Sequence, residues 1–473
     1  MNLEELVYIR HEVLLTAVTV LILTAGSVRK IFNAYTLSIT ATGLFMVLTW
    51  IGFLRAGDGI AFGGMLLSSP LPLIMKNILN VAVLIILFFS FKHNSRQQDL
   101  RDSRDFYFLI FISLAGMYLM ISAGHFLVFY LGIELALLPV TALVKILKNK
   151  NDLPAPSGSM IHASLFSSLI ILFGISITYG VCGTLYFSKL ITINMNNTLQ
   201  VLAFFAIFGG ILIKILILPY YLIREGMEER HPSGLLSLSA IIISVSGVFI
   251  LLILLFSIFP SVSLLWQKTI FYLTIAGLTA GNIITLRQKK TSRFLAWSSL
   301  VQTGYILTGI IGASPLAMTS IISSSAAYIF SAMGLYVMVM IVKGATGSDE
   351  IADFRGLYHS NRGLGLSMTI ALLSLAAIPP FAGFFGRFFV FASAAEKGFY
   401  FFLLVISANT LLTLFYYLNI IRIIFTEDNT RHLKTIKSPL STRLALIICI
   451  AGILLAGIAG ILFDKLNGFS FGV

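Results

Sequence analysis

Charge is what this 473-residue chain has least of. Only 11% of its residues are charged, 58% are hydrophobic, and the mean hydropathy is +0.96. Ordinary soluble domains are about 25% charged and about half apolar, so a water-soluble enzyme is excluded. Cysteine is nearly absent. Cys182 and Cys449 both lie in apolar stretches, which excludes a disulfide framework and a cysteine-held metal or iron–sulfur centre. The opening MNLEELVYIRHE holds Glu4, Glu5 and Glu12 and lacks a basic n-region, so no cleaved signal peptide is expected. HExxH, paired histidine ligands, a glycine-rich phosphate loop and a GxSxG elbow are all missing. No catalytic residue acting on an organic substrate, and no metal or cofactor held by this chain, is expected.

What is present is long apolar runs. A crossing of the ~30 Å hydrocarbon core takes about 20 residues. Fourteen runs qualify: 11–28, 36–54, 72–91, 106–122, 125–144, 160–180, 199–223, 234–258, 267–286, 295–312, 317–342, 364–396, 399–424 and 441–463. The fold class is therefore an all-α polytopic membrane protein. Residues 1–105 form three N-terminal helices, 106–258 and 267–424 two inverted five-helix repeats, and 425–473 a last helix with no appendage beyond it. The loops joining odd to even spans hold 23 basic residues, and the opposite side with both termini holds 7. Cytoplasmic loops are enriched in Lys and Arg, which places both termini outside. The net charge of +13 is thus an orientation signal, and no nucleic-acid partner is needed to explain it.

Two cations remain, Lys214 within span 7 and Arg387 within span 12, and one acid, Glu134, lies near the centre of span 5. A charge at mid-membrane costs at least ~2.5–3.5 kcal/mol on insertion scales, so such residues face protein or water and are functional candidates. The bland alternative is structural pairing inside the bundle. Lys214 precedes Pro219 by five residues, and Arg387 follows Pro379 by eight. Proline removes a backbone donor, tolerable in lipid only where the bundle or internal water compensates, so helices 7 and 12 are expected to be discontinuous. If spans 4–8 and 9–13 are related halves, Glu134 corresponds to Gln302. A buried Glu–Lys pair suits proton movement, because burial and pairing push its two protonation states in opposite directions. Arginine keeps its proton and serves instead to gate, attract water or hold an anion. Ser239 and the other serines of span 8 are packing or water-holding residues. His162, near the cytoplasmic end of span 6, is either an interfacial packing residue or a shuttle.

Several stretches resemble one family. SLAGMYLMISAGHFLVFYLGIELALLPVTALV, with Glu134, is similar to its spans 4–5, and FGISITYGVCGTL to the end of its span 6. GGILIKILILPYYL, with Lys214 and Pro219, is similar to span 7. GNIITLRQKKTSRFLAWSSLVQTGYIL, IADFRGL and LLSLAAIPPFAGFFGRFFVF follow in the family's order. The family is the antiporter-like membrane subunits of respiratory complex I (NADH:quinone oxidoreductase), and within it the chain most closely resembles those called subunit N. The resemblance implies a proton-translocating subunit of the bacterial inner membrane, with Glu134 modulating Lys214 as proton carrier. It implies partners too: other membrane-arm subunits, and subunits carrying FMN, iron–sulfur clusters and quinone. The alternatives are an Mrp-type cation/proton antiporter, a membrane-bound hydrogenase subunit, or a non-conducting structural module. The chain departs from the family pattern in places. The stretch after Pro232, SGLLSLSAIIISVSG, lacks the family's span 8 lysine, and Ile161 and His162 stand near a missing span 6 lysine. Gln302 replaces a histidine, Arg387 a lysine, and Tyr220 or Tyr221 a histidine after the span 7 proline.

Overall fold

The computed structural model describes residues 3–27, 33–54, 57–96, 100–146, 157–193, 197–225, 235–426, 436 and 439–458. The expected loops at 145–158 and 425–440, Pro232 and the chain end after 458 fall wholly or largely outside these residues. Among the described residues, twelve helices are long and apolar enough to cross a membrane. The chain divides into two compact units, Met1–Leu218 with Ile242–Ser263, and Pro219–Ile241 with Leu264–Gly472.

The first unit contains α1 (Leu3–Tyr8), α2 (Arg10–Ser27), α3 (Ala34–Gly52), α4 (Pro70–Arg96), α5 (Leu100–Ile121), α6 (Phe126–Ile146), α7 (Ser157–Cys182), α8 (Phe187–Leu190) and most of α9 (Thr198–Glu225). The long helices coincide with the apolar runs to within a few residues. Their packing follows from small residues, which let helix backbones approach. A Cβ at Gly116 of α5 would lie 2.3 Å from the Ala136 backbone nitrogen of α6, and one at Gly132 would lie 2.6 Å from that of Met120. Ser113 Oγ donates across the same seam to the Ala136 carbonyl at 2.6 Å. This seam sets the height and rotation of Glu134, two residues beyond Gly132.

One end of this unit carries structure that the sequence reading leaves as a plain connection. Strands β1 (Gly59–Ala61) and β2 (Leu66–Ser68) pair antiparallel, with Gly59 opposite Ser68. The turn between them places Gly63 and Gly64 at φ +63° and +91°, a region that glycine enters without a Cβ clash. Leu67 N–H donates to the Ser122 carbonyl, Gly124 N–H to that of Met65, and Phe187 N–H to that of Gly124. The ribbon thereby ties the end of α5, the start of α6 and the segment after α7. Strands of three residues are too short to give a readable alternation.

Helix α10 (Leu235–Ser257) is apolar on all sides and buried along nearly its whole length, as expected of a helix without a polar face. The second unit contains α11 (Ser263–Leu286) from Leu264 onward, α12 (Thr291–Thr308), α13 (Pro315–Thr346), α14 (Leu357–Ser360), α15 (Arg362–Leu375), α16 (Ala382–Glu396), α17 (Tyr400–Phe425) and α18 (Leu440–Ile458). Helix α13 is its centre, packing against α15, α16 and α18.

The two helices expected to break behave differently. Between α15 and α16 the chain is non-helical from Ala376 to Phe381, with Ala377 at φ +60° and a cis Pro379–Pro380 bond. Two adjacent prolines remove two donors, and Ile378 before them is disfavoured from helical geometry. Helix α9, by contrast, runs through Pro219 without interruption, so the break expected in span 7 is not seen. A single proline deprives one carbonyl, that of Ile215, of its usual donor, and one lost bond does not end a helix that packing holds.

Candidate functional site

In the first unit, α6, α7 and α9 bring one cation and one acid together. Lys214 Nζ lies 2.9 Å from Glu134 Oε1. Lys214 is 5% exposed, and the Glu134 side chain is 14% exposed. Helix α7 completes the site from below the notice of motif reading. Ser168 Oγ donates to Glu134 Oε1 at 2.6 Å, and Ser164 Oγ lies 3.4 Å from Lys214 Nζ. Residues four apart share a helix face, so Ser164 and Ser168 act together. Gly210, one turn before Lys214, makes this approach possible, since a Cβ there would meet Ile171 Cγ1 of α7 at 2.5 Å.

Beside Lys214 is a cavity of about 30 Å³, lined by Met120, Ile133, Ile211, Ser246 and Gly247 among others. A water needs roughly 10–15 Å³ of such space, so the cavity has room for one or two. Its lining is apolar apart from Lys214 and Ser246. A charged amine facing a small, mostly apolar cavity gives an entering water one strong partner, with the Ser246 hydroxyl a weaker second.

In the second unit, the helix break organises the other mid-membrane cation. In an unbroken helix the Leu375 carbonyl would accept from residue 379, but Pro379 has no N–H to give. Two side chains take its place: Arg387 Nη2 donates to that carbonyl at 2.8 Å and Gln302 Nε2 at 3.1 Å. Arg387 Nη2 also reaches Gln302 Oε1 at 3.2 Å, and its guanidinium lies 4.1 Å over the Tyr305 ring. Arg387 is 7% exposed, and its Nη1 has no hydrogen-bond partner among the described residues. A second cavity of about 30 Å³ opens here, lined by Gln302, Tyr305, Ser324, Ser331, Ser374 and Arg387 with others. Each of these contacts to Arg387 is neutral, whereas the one to Lys214 is charged.

The remaining expected residues are placed less centrally. His162 is exposed on α7; two positions before Ser164, it points away from the Glu134–Lys214 contact, because that step turns a helix by about 200°. Ser239 gives its hydroxyl proton to the Leu235 carbonyl of its own helix at 2.9 Å. The span 8 serine that lines the Lys214 cavity is Ser246 instead. Lys76 is among the seven basic residues that sequence reading counts on the side of the termini; the structure instead buries it within α4, 2% exposed and paired with Glu12 of α2 at 2.6 Å.

The chain belongs to the NADH:quinone oxidoreductase/Mrp antiporter transmembrane family, whose model matches residues 123–413. Within that family its relatives are more particular. It is 36% identical to NADH-quinone oxidoreductase subunit N of Azobacteroides pseudotrichonymphae over 417 residues, covering 88% of this chain and 87% of that protein. Against the subunit N of Phocaeicola vulgatus it is 34% identical over 407 residues, covering 86% of each. A chain of respiratory complex I from Thermus thermophilus shares the fold with a TM-score of 0.76 at 19% identity, covering 96% of this chain and 99% of that one. A chain of the Mrp complex from a Dietzia species does so with a TM-score of 0.80 at 18% identity, covering 99% and 97%.

Proposed function

We propose that this chain is a proton-translocating membrane-arm subunit of an NADH:quinone oxidoreductase, equivalent to subunit N, in which Lys214 carries the proton under the control of Glu134. The observation that carries this reading is the buried 2.9 Å contact between Lys214 and Glu134, beside space for water, in a chain so similar to subunits of that name. An ammonium against a carboxylate keeps its proton, while one that loses its counter-ion in a low-dielectric interior releases a proton to water. Movement of charge elsewhere in the complex can therefore switch Lys214 between the two conditions. Arg387 does not exchange protons. Its role is to hold the broken helix through the Leu375 carbonyl and to shape the far end of the path with Gln302. Redox chemistry, with FMN, iron–sulfur clusters and quinone, belongs to partner subunits.

The same reading includes a fourteen-helix topology. It adds α2 and the α15–α16 pair to the twelve long helices, with residues 106–258 and 267–424 as inverted repeats. The protein lies in the bacterial inner membrane with both termini on the outer side, a placement supported by the 23-to-7 split of basic residues. The decisive experiment is Lys214→Met in the assembled complex reconstituted into sealed vesicles. Protons moved per electron are expected to fall while the complex stays whole, and a wild-type ratio would remove Lys214 from the path.

A second reading, a structural module that transmits change without conducting, draws on the wholly neutral contacts of Arg387. A continuous file of water from Lys214 to the outer surface, seen in a high-resolution map of the complex, would count against it.

A further inference from the structure

A second buried ion pair lies in the first unit, away from Lys214. Lys76 Nζ of α4 meets Glu12 Oε1 of α2 at 2.6 Å. The neighbouring groups are polar as well. His11 Nε2 is 3.2 Å from Asn77 Oδ1, and Tyr118 donates its hydroxyl proton to Asn80 Oδ1. The Tyr118 ring lies 5.7 Å from both Lys76 Nζ and the His11 ring. Arg10 Nη2 donates to the Gly52 carbonyl at 3.1 Å, as does Asn77 Nδ2. Gly52 is the floor of the cluster. A Cβ there would stand 2.7 Å from Asn77 Oδ1, 2.9 Å from His11 Nε2 and 3.4 Å from Asn80 Nδ2.

Among the described residues, His11 Nδ1, Glu12 Oε2 and Asn80 Nδ2 are buried atoms of this cluster without a hydrogen-bond partner. Flipping the Asn80 amide leaves one of its ends unpartnered either way. Such groups are costly unless satisfied. A bound metal cation would suit Glu12 Oε2 but would face the Lys76 ammonium and the Asn80 N–H. Water donates to the carboxylate and accepts from the amide, so water fits all three atoms and a metal ion does not.

We propose that Glu12 and Lys76, bridged to His11 and Asn80 by buried water, form a second proton-exchange site in this chain. Glu12, whose side chain is 11% exposed, is the point of entry. A proton arriving from water at Glu12 Oε2 converts the carboxylate to the acid and removes the counter-ion of Lys76. The ammonium releases one proton to the bridging water, leaving a neutral acid and a neutral amine. A turn of the carboxyl brings the protonated oxygen to Nζ, and transfer of its proton to the amine restores the ion pair. One proton enters, one leaves, and the charge of the pair is unchanged over the cycle.

The proposal rests on the reading of this chain as a proton-translocating subunit, though on a different pair of residues. Its test uses the assembled complex in sealed vesicles, carrying Glu12→Gln, Lys76→Met or both substitutions, beside Lys214→Met. Subunit content and protons moved per electron are measured for each. Each single variant is expected to at least halve the proton ratio. The double variant carries no uncompensated buried charge, so it recovers subunit content but not the ratio. A pair that merely clamps α2 to α4 gives the other result: the double variant restores both, and the proposal is overturned. A wild-type ratio in the two single variants also overturns it, whatever Lys214→Met does. If Lys214→Met keeps the wild-type ratio while Glu12→Gln lowers it, the role given to Lys214 fails and this site stands. If neither single variant assembles, the double variant decides.

Discussion

Lys214 and Arg387 are both cations in apolar helices, yet their surroundings give them different work. Lys214 is held by Ser164 and by a carboxylate that itself accepts from Ser168, so its proton is negotiable when the carboxylate moves. Arg387 donates from one nitrogen, Nη2, to both a carbonyl and an amide and stacks on Tyr305, an arrangement that a long, planar guanidinium fits. Arg387→Lys is therefore expected to cost about 1.5–3 kcal/mol through the lost charge-assisted bonds, since the lysine side chain is shorter and its ammonium does not stack flat on the ring. Thermal unfolding of the purified complex, followed at this subunit, measures that loss. An unchanged midpoint would mean these contacts of Arg387 are not what holds the α15–α16 break. Glu134, Lys214 and Arg387 were legible in the sequence, because an ionised side chain stands out in the middle of an apolar run, whereas Lys76 and Glu12, near the ends of theirs, were not. Ser164 and Ser168 were not. Serine is common packing material in membrane helices, and only the direction α7 presents to α6 separates these two from the rest.

The elements explain how Glu134 is brought against Lys214. Helices α5 and α6 touch through Gly116 and Gly132, and backbone atoms stand where either Cβ would go. Gly116→Ala is expected to destabilise the subunit by about 1–3 kcal/mol, as overpacking does, and to displace Glu134 from Lys214. Gly43→Ala, with nothing within 4 Å of its added Cβ, is the control and should be neutral. Comparing the thermal stability and proton ratio of these two variants checks the point, and equal behaviour would mean the seam is not rigid. The helix runs themselves were readable from apolar length to within a few residues. Their interruptions were readable only in part. Pro379-Pro380 ends a helix by removing two donors, while Pro219 leaves one carbonyl unpaired and α9 continues. The ribbon of β1 and β2 left no signal, because its register depends on Ser122 and Gly124 far along the chain.

For the whole molecule, the strongest statement concerns orientation. The loops joining odd to even spans hold 23 of the 32 basic residues, so both ends of the chain are expected on the outer side. A reporter active only outside the cytoplasm, fused after Val473, should be active, and one that works only inside should be silent. The opposite pattern would overturn the topology. Burying Lys76 removes one residue from the minority side and so sharpens the asymmetry. By itself, the sequence determined the membrane class, the order of the helices and the mid-span charges Glu134, Lys214 and Arg387. Apolar length, and a charge interrupting it, are properties of the chain taken in one dimension. Which charge meets which partner was decided by tertiary structure alone. Glu12 and Lys76 are 64 residues apart, Glu134 and Lys214 80, and Gln302 and Arg387 85. Only the rotation and depth of each packed helix determine whether such distant side chains touch.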